Sequence, residues 1–281
     1  MKKILLLILT FAISISASLA AKPIKAMIIT GQNNHYWKVS SKAISNLLTE
    51  DGYEVEIATS PKAGEDMSNF CPDFKGYKLV VVDYFGDSWC DKLKTEFIKY
   101  VKSGKGVVIY HAANNAFSDW DEYESVIALG GWGDRGKESK GYYTEWKNGK
   151  LEKYEASDRV GHHGARHDYT LKCRNLSHPA VDKTLKAGIL QPSDELYDSM
   201  KGKANIKDVL YTAYSDPKKG GTGKEEVLIF TVDFGRAKIF HTMIGHAMAT
   251  IEQSPALNSE TFKKTFLAGA AWASGKNRGN F

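Results

Sequence analysis

The feature that most constrains this chain is the alternation, through its first half, of short apolar runs with amphipathic stretches. Residues 25–30 (Lys-Ala-Met-Ile-Ile-Thr) stop at Gly31, and residues 79–83 set four apolar side chains before Asp83. Runs this short and this apolar read as strands buried on both faces, the habit of a parallel sheet. Val39, Ala43, Ile44, Leu47 and Leu48 recur at helical spacing, which predicts a helix over 36–49 that Gly52 stops. Residues 53–58 alternate as a second strand. Leu93, Phe97, Ile98 and Val101 give an apolar face to a helix over 91–102, Gly104 ends it, and 107–110 make the next strand. A β-α-β-β-α-β order requires parallel strands joined by right-handed crossovers. Ligands of such sheets bind beyond the carboxyl ends of the strands. Those ends are Thr30-Gly31, Asp83-Tyr84 and Tyr110-His111, so the polar and aromatic residues just past them are the first to inspect.

The second half changes character. A short helix is expected over 120–129, and 130–164, rich in Gly, Lys, Tyr and Trp, reads as mainly loop, long enough to form a lid. Strands follow at 168–173, 209–215 and 227–232, and Asp233-Phe-Gly-Arg236 turns a hairpin into a strand at 237–242. A last helix spans 259–274. With no internal repeat or low-complexity linker, the expectation is one domain over 22–281: a mostly parallel α/β sheet completed by a strand-rich C-terminal extension.

At 281 residues and 42% apolar composition, the chain can bury the core of one large domain. Its start carries Lys2-Lys3, an apolar run over 4–15 and small residues through 16–21. That order reads as a cleaved secretory signal over 1–21 and points to a periplasmic or secreted protein. The alternative, a membrane anchor, needs a longer run and stop-transfer flanks, so no span is expected after cleavage. The formal charge is +5, and setting aside Lys2 and Lys3 leaves 36 basic side chains against 33 acidic, or +3. A balance so weak and evenly spread does not argue for nucleic acid or an anionic membrane. The three cysteines have neither CxxC nor zinc-ligand spacing. Export permits a disulfide, for which Cys71 and Cys90 are the first candidates; the other role is that of small buried hydrophobes.

Several segments taken together resemble one family. They are Thr30-Gly31-Gln-Asn-Asn-His35, Tyr100-Val-Lys-Ser-Gly104 leading to Val108-Ile-Tyr-His111-Ala-Ala113, and His178-Pro179-Ala180. They continue with Asp194-Glu195-Leu196-Tyr197, Thr212-Ala-Tyr-Ser-Asp-Pro217, Phe240-His241-Thr242-Met-Ile-Gly245-His246 and Trp272-Ala273. Their order and spacing, from residue 25 to about 275, resemble the trehalose-utilisation (ThuA-like) family. The resemblance implies a class I glutamine amidotransferase-like fold, a three-layer flavodoxin-like sandwich, and a carbohydrate partner in disaccharide or 3-keto sugar utilisation. Amidotransferases carry a Cys nucleophile on a strand-to-helix elbow. Here the strand at 107–110 is followed by His111-Ala112-Ala113 with no Cys nearby, so ammonia release from glutamine is not expected.

The candidate catalytic residues are His111, Glu195, His246 and His35. His111 ends a buried strand at the ligand edge, where an imidazole suits acid–base work or hydroxyl binding, or bonds a loop carbonyl as a structural group. His35 follows the first strand, beside Asn33 and Asn34, whose amides can bond sugar hydroxyls or shape a turn and cap. Glu195 and Asp194 are paired acids that can ligate a metal, act as a base or orient a histidine, unless they form a solvated loop. His246 follows Gly245 beyond a strand end, whereas His241 equally suits the core. Asn33, Asn34, Asp194, Tyr197, His167 and Trp132 are the candidate substrate-binding residues. His163 and His167 have the i, i+4 spacing that chelates a metal on a helix, although the glycines around them argue for a loop. Trp37, Trp132 and Tyr142 can stack on a sugar ring or simply anchor packing. The expected function is an enzyme acting on a sugar or glycoside. Its alternatives are a carbohydrate-binding module without turnover and a metal-dependent hydrolase using the histidine cluster with an acid. The residues leave both the cofactor and the metal unknown.

Overall fold

The protein, examined as a computed structural model, is described over residues 22–185 and 188–277. The signal expected at 1–21 lies outside the described residues. The first half runs β1 (Ile24–Thr30), α1 (Trp37–Glu50), β2 (Tyr53–Thr59), β3 (Leu79–Val82), α2 (Asp91–Lys102) and β4 (Gly106–Tyr110). A 3-10 turn (His111–Asn115) and α3 (Asp121–Ile127) follow. Then come β5 (Tyr142–Lys147), β6 (Lys150–Tyr154), β7 (His162–His163), β8 (His167–Cys173), β9 (Gly188–Asp194), β10 (Tyr197–Asp198) and β11 (Lys201–Gly202). The chain closes with β12 (Ile206–Tyr214), β13 (Glu225–Val232), β14 (Lys238–Thr242), α4 (Pro255–Asn258) and α5 (Glu260–Ser274).

Nine strands form one sheet in the order β2-β1-β3-β4-β14-β13-β12-β8-β9. Every residue of β3 and β4 is buried, as their apolar runs require. The crossover from β1 to β2 and that from β3 to β4 move in opposite directions along the sheet, so right-handedness sends α1 and α2 to opposite faces. The amphipathic face of α2 buries Leu93, Phe97 and Val101, and Phe97 meets Trp89, Trp120 and Tyr123 edge-on or tilted. Ser259 caps α5 by accepting from the Phe262 amide at 3.0 Å. No helix among the described residues is long and apolar enough to cross a membrane.

The expectation of a mostly parallel sheet is corrected. β2, β1, β3, β4 and β14 are mutually parallel, whereas β14-β13-β12-β8-β9 is antiparallel throughout, which makes the sheet mixed. The reason is the hairpin at Asp233–Arg236 and the long ladder it starts. The loop expected over 130–164 likewise holds β5, β6 and β7; β11-β5-β6 and β10-β7 form two small sheets of their own. Cys71, Cys90 and Cys173 are free thiols.

Three register shifts interrupt the β12–β13 ladder, and such bulges bend a sheet. The antiparallel half curls back until β9 packs on α4 and α5, where Gln191 donates to the Ala256 carbonyl and Thr261 to that of Leu190. Four antiparallel steps turn β9 back to the direction of β14, so the carboxyl ends of β1, β3, β4, β14 and β9 share one rim.

Candidate metal centre

His35, His111, His246 and Glu195 reach this rim from the ends of four different strands, and one nitrogen or oxygen of each lies within 4.8 Å of all the others. His35 follows β1. Its backbone N–H donates to Asn33 Oδ1 at 3.0 Å, while Asn33 Nδ2 donates to Asp83 just past β3. Its ring Nδ1 faces Asn34 Oδ1 at 2.9 Å, which leaves Nε2 turned to Glu195 Oε2 at 3.4 Å. His111 sits directly after β4 with φ 47, a left-handed backbone rare outside glycine. Its Nδ1 donates to the Met243 carbonyl at 2.8 Å, which turns Nε2 toward Glu195 Oε2 at 3.6 Å. Tyr197 stacks on this ring and places its hydroxyl 3.2 Å from Nε2. His246 follows Gly245, and its Nδ1, 3.2 Å from the same Glu195 oxygen, is buried with no hydrogen-bond partner.

Asp194, fully buried, holds the frame. It accepts from the Glu195 amide (2.9 Å), the Gly245 amide (2.7 Å), the His246 amide (3.0 Å) and the Gln191 side chain (2.8 Å). One carboxylate thus fixes the backbone of two residues of the cluster.

Burial opposes charge at Glu195, yet the three imidazoles gathered around it hold its carboxyl well below the usual carboxylate range. Burial pushes His35 down to about 4, against the pull of Glu195, so its ring is neutral near pH 7 and its lone pair is available. Burial also works against charge on His111, but Glu195 outweighs it and raises that pKa. Asp83 is pushed up to about 7 by burial, despite bonds from Ser40 and Asn33.

These residues fit a divalent metal ion. Bonds of about 2.1 Å to N and O ligands in a tetrahedron separate the ligand atoms by about 3.4 Å. The three imidazole nitrogens lie 3.2, 3.4 and 3.6 Å from one carboxylate oxygen. The outer nitrogens of His35 and His111 both face oxygen acceptors, the arrangement that orients metal-binding histidines. The unpaired Nδ1 of His246 would gain a partner.

A cleft of about 430 Å³ opens onto the cluster, lined by Asn34, Tyr36, Phe85, Asn115, Trp132 and His163 besides His35, Glu195, His246 and Tyr197. Of the expected substrate-binding residues, Asn34, Tyr197 and Trp132 line it, while Asn33 and Asp194 stand behind it as supports. His167 does not reach it: at the start of β8 its ring bonds the Ala165 carbonyl and packs on Tyr169. The helical spacing of His163 and His167 is absent too, because the two belong to separate strands. His163 enters the cleft from β7, where it pairs with Tyr197, and sets Nε2 3.7 Å from Glu195 Oε1; His162 points the other way, to Asp198. His241 is a core residue bonded to the Ile127 carbonyl, and burial lowers its pKa to about 3. Sequence reasoning missed Tyr36, Phe85 and Asn115, although each lies a few residues past a strand.

The family model described as trehalose utilisation, ThuA, matches residues 25–273. The crystal structure of a ThuA-like protein from Parabacteroides merdae ATCC 43184 is 49% identical, with a TM-score of 0.89 over 92% of this chain and 93% of that one. A ThuA-like protein from Bacteroides uniformis ATCC 8492 is 16% identical, with a TM-score of 0.58 over 94% of this chain and 96% of that one. The carbohydrate deacetylase Agd3 is 10% identical, with a TM-score of 0.50 over 90% of this chain and 32% of that one. At such identities these last two are alike in fold alone. No curated protein matches the chain.

Proposed function

The chain belongs to the ThuA family of trehalose utilisation, and from that premise we propose that it is an exported, metal-dependent enzyme acting on a disaccharide or glycoside. The observation that carries the reading is the convergence of three imidazole nitrogens on one carboxylate oxygen, within 3.6 Å, beneath an open cleft. His35, His111, His246 and Glu195 would hold the ion. When bound, it supplies Lewis acidity toward a sugar oxygen. The chain's own groups do the rest. Asn34, Tyr36 and Trp132 border the space for a sugar ring, Tyr197 backs His111, and Asp194 keeps two ligands in register. We read the parallel half as the flavodoxin-like part of an amidotransferase-like sandwich, with His111 where that class carries its cysteine.

Elemental analysis of protein purified without chelator, paired with turnover of trehalose, other disaccharides and their 3-keto forms, tests this. One divalent ion per chain is expected, with turnover that chelation abolishes, re-addition restores, and His111→Ala or His246→Ala removes. Metal-free protein whose turnover survives both substitutions would contradict it. Sugar binding without any product would leave a carbohydrate-binding module.

A further inference from the structure

Two buried polar atoms at the cleft have no hydrogen-bond partner: Nδ1 of His246 and Oδ1 of Asn115. The metal reading accounts for the first. It does not account for Asn115, which is 1% exposed and outside the four-residue cluster. Leaving a buried amide oxygen unpaired is unfavourable, which favours a bound group that pairs with it.

The backbone that carries it is held in place. Arg135 Nη1 donates to the Asn115 and Trp132 carbonyls, both at 2.8 Å, and Nη2 donates to the Ala116 carbonyl at 2.9 Å. Glu124 pairs with the same guanidinium. Gly133, at φ 69, lies so close that a Cβ there would fall 2.1 Å from the backbone carbonyl oxygen of Asn115. The turn carrying Asn115 and the loop carrying Trp132 are therefore one rigid wall of the cleft. Trp132 stands against Tyr197 at 4.8 Å between ring centres.

We propose that Asn115 is a specificity-determining residue that reads one hydroxyl of a pyranose ring stacked on Trp132. An aromatic face matches the apolar C–H face of a sugar, and a fixed amide matches a ring hydroxyl. A hydroxyl both donates and accepts, so it satisfies the amide whichever way that group is turned. The inference rests on the carbohydrate reading above but not on the metal.

Calorimetric titration of the metal-loaded protein with methyl α-glucoside and its monodeoxy analogues tests it, with metal content and melting temperature measured alongside. The wild type is expected to bind one analogue about tenfold more weakly. Asn115→Leu should bind that analogue and the parent equally, while melting at the same or a higher temperature, because the unpaired oxygen is gone. Asn115→Ala, which needs no extra space, should behave alike. Discrimination that survives both substitutions overturns the proposal, as does wild-type protein that carries its metal yet binds none of these sugars. Metal-free protein that still discriminates would contradict the metal centre and leave this inference standing.

Discussion

Glu195 is surrounded by imidazoles, and Asp194, which accepts from the Glu195 and His246 amides, sets where two members of that group stand. Replacing Asp194 by Asn removes the charge that receives three backbone amides. Metal affinity should fall about 10–100-fold, the usual loss on removing a group that orients ligands, as read by competition with a chromogenic chelator. Glu226, buried in β13, carries a separate signature. Burial, the charge of Asp198 adding to it, pushes its carboxyl from 4.5 to about 8 against a bond from Thr222. The folded chain keeps this proton to about pH 8, while the unfolded chain releases it near 4.5. The stabilisation is complete below 4.5 and is lost as pH rises through 8. Glu226→Gln should flatten stability against pH over that window and melt higher than wild type above pH 8, as denaturant titrations across pH would report. At this scale, histidines that follow apolar strands within a few residues are visible from the sequence. His35, His111 and His246 were legible for that reason. Asn115 was not, because nothing in a sequence tells that an amide will be left unpaired.

Elements decide how those residues are presented. His111 occupies a left-handed backbone at the end of β4, a conformation that disfavours any side chain by about 1–2 kcal/mol relative to glycine. Both His111→Ala and His111→Gly lose the ligand, yet the glycine variant should be the more stable by about 1 kcal/mol in denaturant titrations. The reverse order would mean the turn relaxes freely. Gly245, at φ 101, precedes His246, and a Cβ on it would fall 2.5 Å from the ring of Phe262. Gly245→Ala is thus expected to weaken metal binding without touching a ligand atom. Strands β3 and β4 and helix α2 were readable because burial on two faces or on one stripe leaves an apolar pattern. Strand β9 was not. It is an edge strand, which tolerates Pro192, and its polar residues Gln191 and Asp194 are buried for their hydrogen bonds rather than for apolar area.

For the molecule as a whole, the site exists only because a mixed sheet curls. A flat continuation would leave the end of β9, and with it Glu195, far from β14 and β4, four and five strands away in the sheet order. Such long-range closure is invisible to local periodicity, which is why the acid's motif was recognisable while its position was not. The closure also couples metal to folding. An ion at a hundred times its Kd adds about 2.7 kcal/mol to the native state, so chelation should lower the melting temperature by roughly 5–10 °C for a chain of this size. Glu195→Gln protein should melt at one temperature with or without chelator. The most direct measurement is the anomalous scattering of crystals grown with zinc or manganese, recorded at the absorption edge of each. The account predicts a single strong peak between His35 Nε2, His111 Nε2, His246 Nδ1 and Glu195. Crystals whose only peaks lie elsewhere, with the imidazoles still bonded to the bare carboxylate, would contradict it.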